Sequence, residues 1–229
     1  MDIFLSIVIP VYNEEQTIKA VLDEHIERLS GVNSWEIVCL DDASTDRTWA
    51  LLQEYALGQP RMRLLRHENN QGISASFQRL FHEAAGQYIY LTAGDGQWPA
   101  ENLTRLLKAR EDNGADLVVG VRESREKVYS PGRRVLSYGF NYLAKILFHV
   151  DTADANGIKL GRREIFISPV RSKSFFAEIE RLIGAHKKGY HIIHAPVIFL
   201  PRRFGVAQGA KLKNVLATLK DFSLYLIKR

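Results

Sequence analysis

"YIYLTAGDGQWPAENL", residues 88–103, is an apolar run that stops at a polar turn and then passes into helical spacing. The run "YIYLTA", 88–93, has the aromatic and branched make-up of a short strand. Pro99 and Glu101 open a helix, because Pro suits the first helical turn and an acid suits its positive end. Between them stands one carboxylate, Asp95, followed by Gln97, Trp98 and Pro99. An acid where a strand gives way to a helix is well placed to handle a ligand or a metal. A metal that must grip a diphosphate usually takes more than one protein ligand, so the stretch asks what completes Asp95.

The same strand, polar turn and helix recur on either side. "SIVIPV" (6–11), "EIVCL" (36–40), "RMRLLRH" (61–67) and "ADLVVGVR" (115–122) read as further strands. "EEQTIKAVLDEHIERL" (14–29), "DRTWALLQEYA" (46–56) and "GISASFQRLFHEAAG" (72–86) have helical spacing, the last closed by Gly86. Strands alternating with helices predict an α/β fold, a doubly wound, mostly parallel sheet with helices on both faces. Ligands of such sheets lie beyond the carboxyl ends of the strands. "YNEE", "DDASTD", "NNQG" and "AGDGQWP" all fall there.

The second half is less regular. "RRVLSYGFNYLAKILFHV" (133–150) reads as an aromatic-rich helix, and "GIKLGRREIF" (157–166) as a strand and a turn. "FFAEIERLIGAHKKG" (175–189) reads as a helix and "YHIIHAPVIFL" (190–200) as a strand. "KLKNVLATLKDFSLYLIKR" (211–229) is a basic amphipathic helix. No repeat, low-complexity segment or linker interrupts the chain, so residues 1–229 are expected to form one domain.

At 229 residues, 46% hydrophobic and 25% charged, the composition is that of a globular protein with a sizeable core. The lone cysteine, Cys39, rules out an internal disulfide framework or a cysteine metal cluster and reads as a small buried hydrophobe. The opening "MDIFLSIVIPVYNEE" lacks the basic leader and cleavage site of a signal peptide. No apolar run approaches the ~18–20 residues of a spanning helix. The net charge of +5 hides an asymmetry: residues 1–120 carry 10 basic and 18 acidic side chains, residues 121–229 carry 21 and 8. The second half is therefore suited to an anionic partner. Nucleic acid is not favoured, because no nucleic-acid-binding motif accompanies the charge.

Several strand ends carry chemistry. Pro10, Tyr12 and Glu14 follow the first strand, where Tyr12 offers a flat face to a base or sugar and Asn13 could equally cap a helix. Ser44, Thr45 and Asp46 read as capping residues. The adjacent acids Asp41 and Asp42 need something positive or proton-donating beside them. Asn70 and Gly72 form a turn before a helix, suited to ligand contact but neither a P-loop nor GxGxxG. The seven histidines are scattered without metal-pair spacing, and GxSxG is absent.

The ordered set "SIVIPVYNEE … VCLDDASTDRT … NNQGISASFQRLFHEAAGQYIYLTAGDGQWP", continued by "DLVVGVR" and "EIERLIGAHKKGYHIIHAPVIFLPRRFG", resembles the GT-A fold glycosyltransferases of family 2. Within them it is most similar to the dolichol- or polyprenol-phosphate sugar transferases. The resemblance implies a nucleotide-binding half, 1–122, and an acceptor-binding half, 123–229. It implies that Pro10, Tyr12, Glu14, Asp41 and Asp42 hold the nucleotide, with Asn70 and Gly72 nearby. Asp95 matches the last acid of a metal-binding Asp-x-Asp, and Gln97 the Gln that follows it. Arg122 matches a basic residue after the fifth strand, and Arg202, Arg203 and Gly205 match an arginine-rich segment near the phosphates.

The first acid of Asp-x-Asp falls on Ala93. A weakly held Mg²⁺ or Mn²⁺ is still expected, because Mg²⁺ binds through one or two carboxylates with waters and phosphates. The alternative is a metal-free site in which Lys and Arg neutralise the leaving diphosphate. An attacking hydroxyl needs a base, for which Asp154, Glu178 and Glu180 are candidates, with Glu180 best matching the family's acidic position. A phosphate monoester, already anionic, needs arginines more than a base. Arg122, Arg125, Arg133, Arg134, Arg162, Arg163, Arg202 and Arg203 favour it. The expected function is inverting transfer from a UDP- or GDP-sugar to a polyprenyl phosphate at the cytoplasmic face of a membrane, touched peripherally by the basic last helix. Transfer to a saccharide hydroxyl, or a non-catalytic nucleotide-sugar binding module, are the alternatives.

Overall fold

The computed structural model describes residues 3–123, 154–204 and 212–227, with positions 139, 142, 145–148 and 150 between them. Most of the helix read over 133–150 lies outside the described residues, as do Arg125, Arg133, Arg134 and Gly205. The strands are β1 (Leu5–Val11), β2 (Trp35–Asp41), β3 (Met62–Arg66), β4 (Tyr88–Leu91), β5 (Leu117–Arg122), β6 (Lys159–Arg162) and β7 (Ile192–Val197). Among the described residues the α-helices include α1 (Ile18–Arg28), α2 (Thr48–Leu57), α3 (Ile73–Glu83), α4 (Glu101–Asn113), α5 (Arg163–Phe166), α6 (Phe176–Lys187) and α7 (Leu212–Ile227).

The strands form one seven-stranded sheet in the order β3-β2-β1-β4-β6-β5-β7. All pairings are parallel except those of β6, which runs antiparallel between β4 and β5. Every residue of β1 and of β4 is buried, as expected of central strands covered on both faces. Ile18 and Leu22 of α1, Leu52 of α2 and Leu103 and Leu106 of α4 pack one face. Leu80 and Phe81 of α3, Phe166 of α5 and Phe176, Ile179 and Ile183 of α6 pack the other. The sheet is thus doubly wound, as the alternating pattern predicts.

Pro10 sits inside a central strand, a position that normally wants its N–H. Pairing with β4 ends at Val8 and Leu91, two residues before Pro10 would need a donor on that side. The Pro10 carbonyl then accepts the Gly94 amide at 3.4 Å. The missing N–H therefore costs no ladder bond, and the strand exit is turned toward the loop that carries Asp95.

β1 leads outward through α1 to β2, while β4 lies on its other side. The crevice between the carboxyl ends of β1 and β4 is therefore the point where strand order reverses, the usual ligand position in such sheets. β6 brings its first residue, Lys159, to the same edge, paired with Leu91 and Val119.

Candidate active site

The crevice is built from the chain leaving β1 and the chain leaving β4. Glu14 follows β1, with its amide donating to Thr48 Oγ1 at 2.8 Å. Thr17 at the start of α1 donates to the Gly94 carbonyl at 2.8 Å, tying the two exits together. Gly96 has φ +69°, a left-handed turn natural to glycine. That turn brings the Gln97 amide back to Asp95 Oδ1 at 3.1 Å.

Asp95 is completed from far along the chain. Arg202 stands after β7, and its Nη1 lies 3.8 Å from Asp95 Oδ2. Its Nη2 donates to Glu14 Oε1, and its Nε donates to the Phe204 carbonyl at 2.7 Å. One guanidinium thus faces both carboxylates of the crevice. Burial pushes Glu14 up to about 7, against the pull of Arg202 and with a further push from Asp95. Burial also raises Asp95, opposed by the Gln97 amide, Arg202 and Arg122.

A strap, residues 198–204, carries Arg202 to this position. Asn102, fully buried in the first turn of α4, donates Nδ2 to the Ile198 carbonyl at 2.9 Å. It also accepts the Ile198 amide on Oδ1 at 2.8 Å. Gln97 repeats the device: Nε2 donates to the Leu200 carbonyl at 3.0 Å, and its own carbonyl accepts the Leu200 amide at 2.9 Å. Trp98 packs on Phe199 with ring centroids 4.5 Å apart. Arg122 closes this layer, 4.9 Å from the Trp98 ring and 4.6 Å from the Phe199 ring, with Nη1 3.4 Å from Asp154 Oδ1.

A second polar cluster lies at the ends of β2 and β3. The adjacent acids there have the partners that their repulsion demands. Asp41 accepts Arg66 Nε at 3.1 Å and the Ser44 amide at 3.3 Å. Asp42 contacts His67 Nδ1 at 2.7 Å and accepts the Gln71 and Gly72 amides, each at 2.8 Å. Gly72 has φ +83°, the conformation that turns its N–H onto Asp42. Asn70 Nδ2 donates to the Asp42 carbonyl at 3.2 Å. Asp42 therefore organises the whole 67–72 turn. Tyr12 is exposed beside the strand end, its ring open to a planar ligand. Asn13 does not cap α1: its Oδ1 accepts the Thr45 amide at 2.9 Å, across to the next loop. Ala43 adopts φ +60°, a left-handed conformation unusual for a residue with a Cβ.

The structure thus brings Glu14, Asp95, Gln97 and Arg202 to one crevice and Asp41, Asp42, Asn70 and Gly72 to a second cluster. Arg122 stands behind the first, enclosed. Arg203 is exposed. Glu180 lies in α6, and its two oxygens accept the Arg171 and Ser172 amides, each at 2.9 Å. Asn102, Thr17 and His67 escaped sequence reasoning. A polar residue inside a helical turn or beside a strand end has no periodic signal to mark it.

Among the described residues, no group of three or more His, Cys, Asp or Glu side chains could hold a metal ion. Asp95 and Glu14 sharing one guanidinium is nevertheless a two-carboxylate donor set already accommodating a positive charge. It suits a hard divalent ion that keeps waters and takes phosphate oxygens. Gln97 Nε2 is held by the strap, so its Oε1 is the atom left to serve as a ligand.

The profile of Glycosyl transferase family 2 matches residues 6–168. Polyprenol monophosphomannose synthase of Mycolicibacterium smegmatis is 28% identical across 95% of this chain and 86% of that protein. Dolichol-phosphate mannosyltransferase of Pyrococcus furiosus is 33% identical over 136 residues, covering 59% of this chain and 36% of that protein, so the match spans little more than a third of that relative. Glucosyl-3-phosphoglycerate synthase of Mycobacterium tuberculosis, solved with Mn²⁺, UDP and glucosyl-3-phosphoglycerate, superposes with a TM-score of 0.68. That likeness, at 22% identity, covers 94% of this chain and 78% of that one and is a likeness of fold.

Proposed function

The chain belongs to glycosyl transferase family 2, and we propose that it moves a sugar with inversion from a UDP- or GDP-sugar to the phosphate of a polyprenyl phosphate. The relatives named for dolichol- and polyprenol-phosphate mannose transfer support the acceptor class. The nucleotide of the structural neighbour supports the donor class. Tyr12 and the Asp42-ordered turn receive the base, and the β1/β4 crevice receives the diphosphate. Asp95 and Glu14, with Gln97 Oε1, would hold a divalent ion there, which would supply charge neutralisation for the departing nucleoside diphosphate. Arg202 stands ready to face the same oxygens.

The observation that carries the acceptor reading is the state of the three acids expected as bases. Asp154 is paired with Arg122. Glu178 is held by Lys159 at 3.1 Å and Arg181 at 3.6 Å; although burial opposes it, these cations keep Glu178 below its ordinary value. Glu180 is bound by two amides. A hydroxyl attack needs a base, and each acid expected in that role is already engaged, whereas a phosphate oxygen attacks without a base.

The last helix supports a lipid acceptor. Asp221 accepts the Lys173 and Ser174 amides, each at 3.0 Å, and Phe222 and Tyr225 pack edge-on against Phe148 and Phe176. With that face docked, α7 turns Leu216, Leu219, Leu224 and Ile227 outward. Lys213 and Lys220 are exposed beside them. An apolar face studded with cations suits the surface of an anionic membrane. Among the described residues no helix is long and apolar enough to cross one. Screening UDP- and GDP-sugars against a short polyprenyl phosphate tests the reading. A product with that acceptor is expected, and transfer confined to saccharide acceptors would refute it.

A further inference from the structure

We infer that Arg202 holds the place of a divalent cation between Glu14 and Asp95 in the ligand-free enzyme, and that an arriving cation displaces it toward the donor diphosphate. The inference rests on reading the β1/β4 crevice as a donor site. Its support is local. The loop after β4 offers one carboxylate, because residue 93 is Ala. The second carboxylate comes from the β1 exit instead, as Glu14, and a single guanidinium faces both. One guanidinium is shared between a buried carboxylate, Glu14, and a partly buried one, Asp95. A divalent ion would balance both, and its gain over a monovalent partner grows as solvent is excluded.

The strap is built for that exchange. Hydrogen bonds from Asn102 and Gln97 fix it as far as Leu200, and Pro201 follows. Arg202 comes after this anchored part and is partly exposed, with 20% of its side chain accessible. Its guanidinium can therefore leave the carboxylates without unpinning the strap. Once released it sits at the same crevice, where its planar fork matches phosphate oxygens. Glu14 and Ala93 thus form a compensating pair: the acid missing from one strand end is supplied by the other, and Arg202 guards the result until ligand arrives.

The test measures Mn²⁺ binding to the full chain without nucleotide, from the free-ion paramagnetic resonance signal. If Arg202 leaves about a tenth of the molecules competent, Arg202→Gln should bind Mn²⁺ about tenfold more tightly than the wild type. Arg202→Met, measured beside it, should behave alike, so one misfolded variant does not decide the outcome. Arg202→Lys should stay near wild type, since its ammonium still opposes the ion. Arg203→Gln removes the same charge one residue away, outside the contact with Glu14 and Asp95, and should leave Mn²⁺ affinity near that of the wild type. Adding Glu14→Gln to Arg202→Gln should abolish the gain. Mn²⁺ affinity no tighter in Arg202→Gln and Arg202→Met, including no binding to any protein, overturns the inference. So does an equal gain in Arg203→Gln, or a gain that survives Glu14→Gln. Binding of UDP and GDP is measured separately, and its failure would refute the donor site while leaving the Mn²⁺ comparison readable.

Discussion

Arg122 and Asp154 form an enclosed pair, with Nη1 3.4 Å from Oδ1 and side-chain exposures of 8% and 3%. The same carboxylate accepts the Arg122 amide at 3.3 Å, while the guanidinium lies against Trp98 and Phe199. The pair therefore locks the end of β5 to the strap that carries Arg202. Removing the Asp154 charge takes away neutralisation that the buried guanidinium relies on. We predict that Asp154→Asn lowers stability by about 3 kcal/mol, read from urea unfolding. A loss below about 1 kcal/mol, typical of surface pairs, would contradict the enclosure.

Tyr12 and Asp42 should separate by what they damage. Tyr12 is exposed, so Tyr12→Ala is expected to weaken nucleotide binding and leave the melting temperature alone. Asp42 orders the 67–72 turn through His67, Gln71 and Gly72. Asp42→Ala should weaken nucleotide binding and also cost about 2 kcal/mol of stability, because the buried His67 and two partly buried amides lose their acceptor. Calorimetry with UDP and GDP, paired with thermal unfolding, checks both. Equal stability of the two variants would show that the turn does not depend on Asp42.

Ala43 holds φ +60° between Asp42 and Ser44, and this turn lets the Ser44 amide return to Asp41. A left-handed residue with a Cβ costs about 1–2 kcal/mol, which glycine escapes. Glycine also loosens the unfolded chain, which offsets part of the gain. Ala43→Gly should therefore be neutral or stabilising by up to about 1 kcal/mol. A clear destabilisation in urea would show that the backbone there is not strained.

Much of this fold is legible in the residues alone. β1, β2, β4 and β5 stand out because strands covered on both faces must be apolar throughout. The antiparallel insertion of β6 does not, since which neighbours a strand pairs with is decided by distant chain. Glu14 and Asp95 are recognisable as strand-end acids. Their shared partner is not, because Arg202 lies 188 residues from Glu14. Asp154, Glu178 and Glu180 read alike as candidate bases. Only folding distinguishes them, by delivering Arg122 to the first, Lys159 and Arg181 to the second, and two amides to the third. Asn102 looks like any helix-surface polar residue until the strap closes over it.

Glu180 is the sharpest case. Both oxygens are taken by the Arg171 and Ser172 amides. Glu180→Gln keeps one acceptor and turns the other into a donor facing an N–H. We predict a stability loss of about 1–3 kcal/mol and a kcat within about tenfold of wild type. A kcat loss beyond about a hundredfold in a fully folded variant would return Glu180 to the role of general base.

The central claim is that a phosphate oxygen, not a hydroxyl, receives the sugar. The most direct measurement offers one donor, from the UDP- or GDP-sugar that binds, to two acceptors of equal chain length: a short polyprenyl phosphate and the corresponding polyprenol. The account predicts a glycosyl phosphodiester from the first and no detectable product from the second. Comparable transfer to the alcohol, or transfer to it alone, would contradict the account.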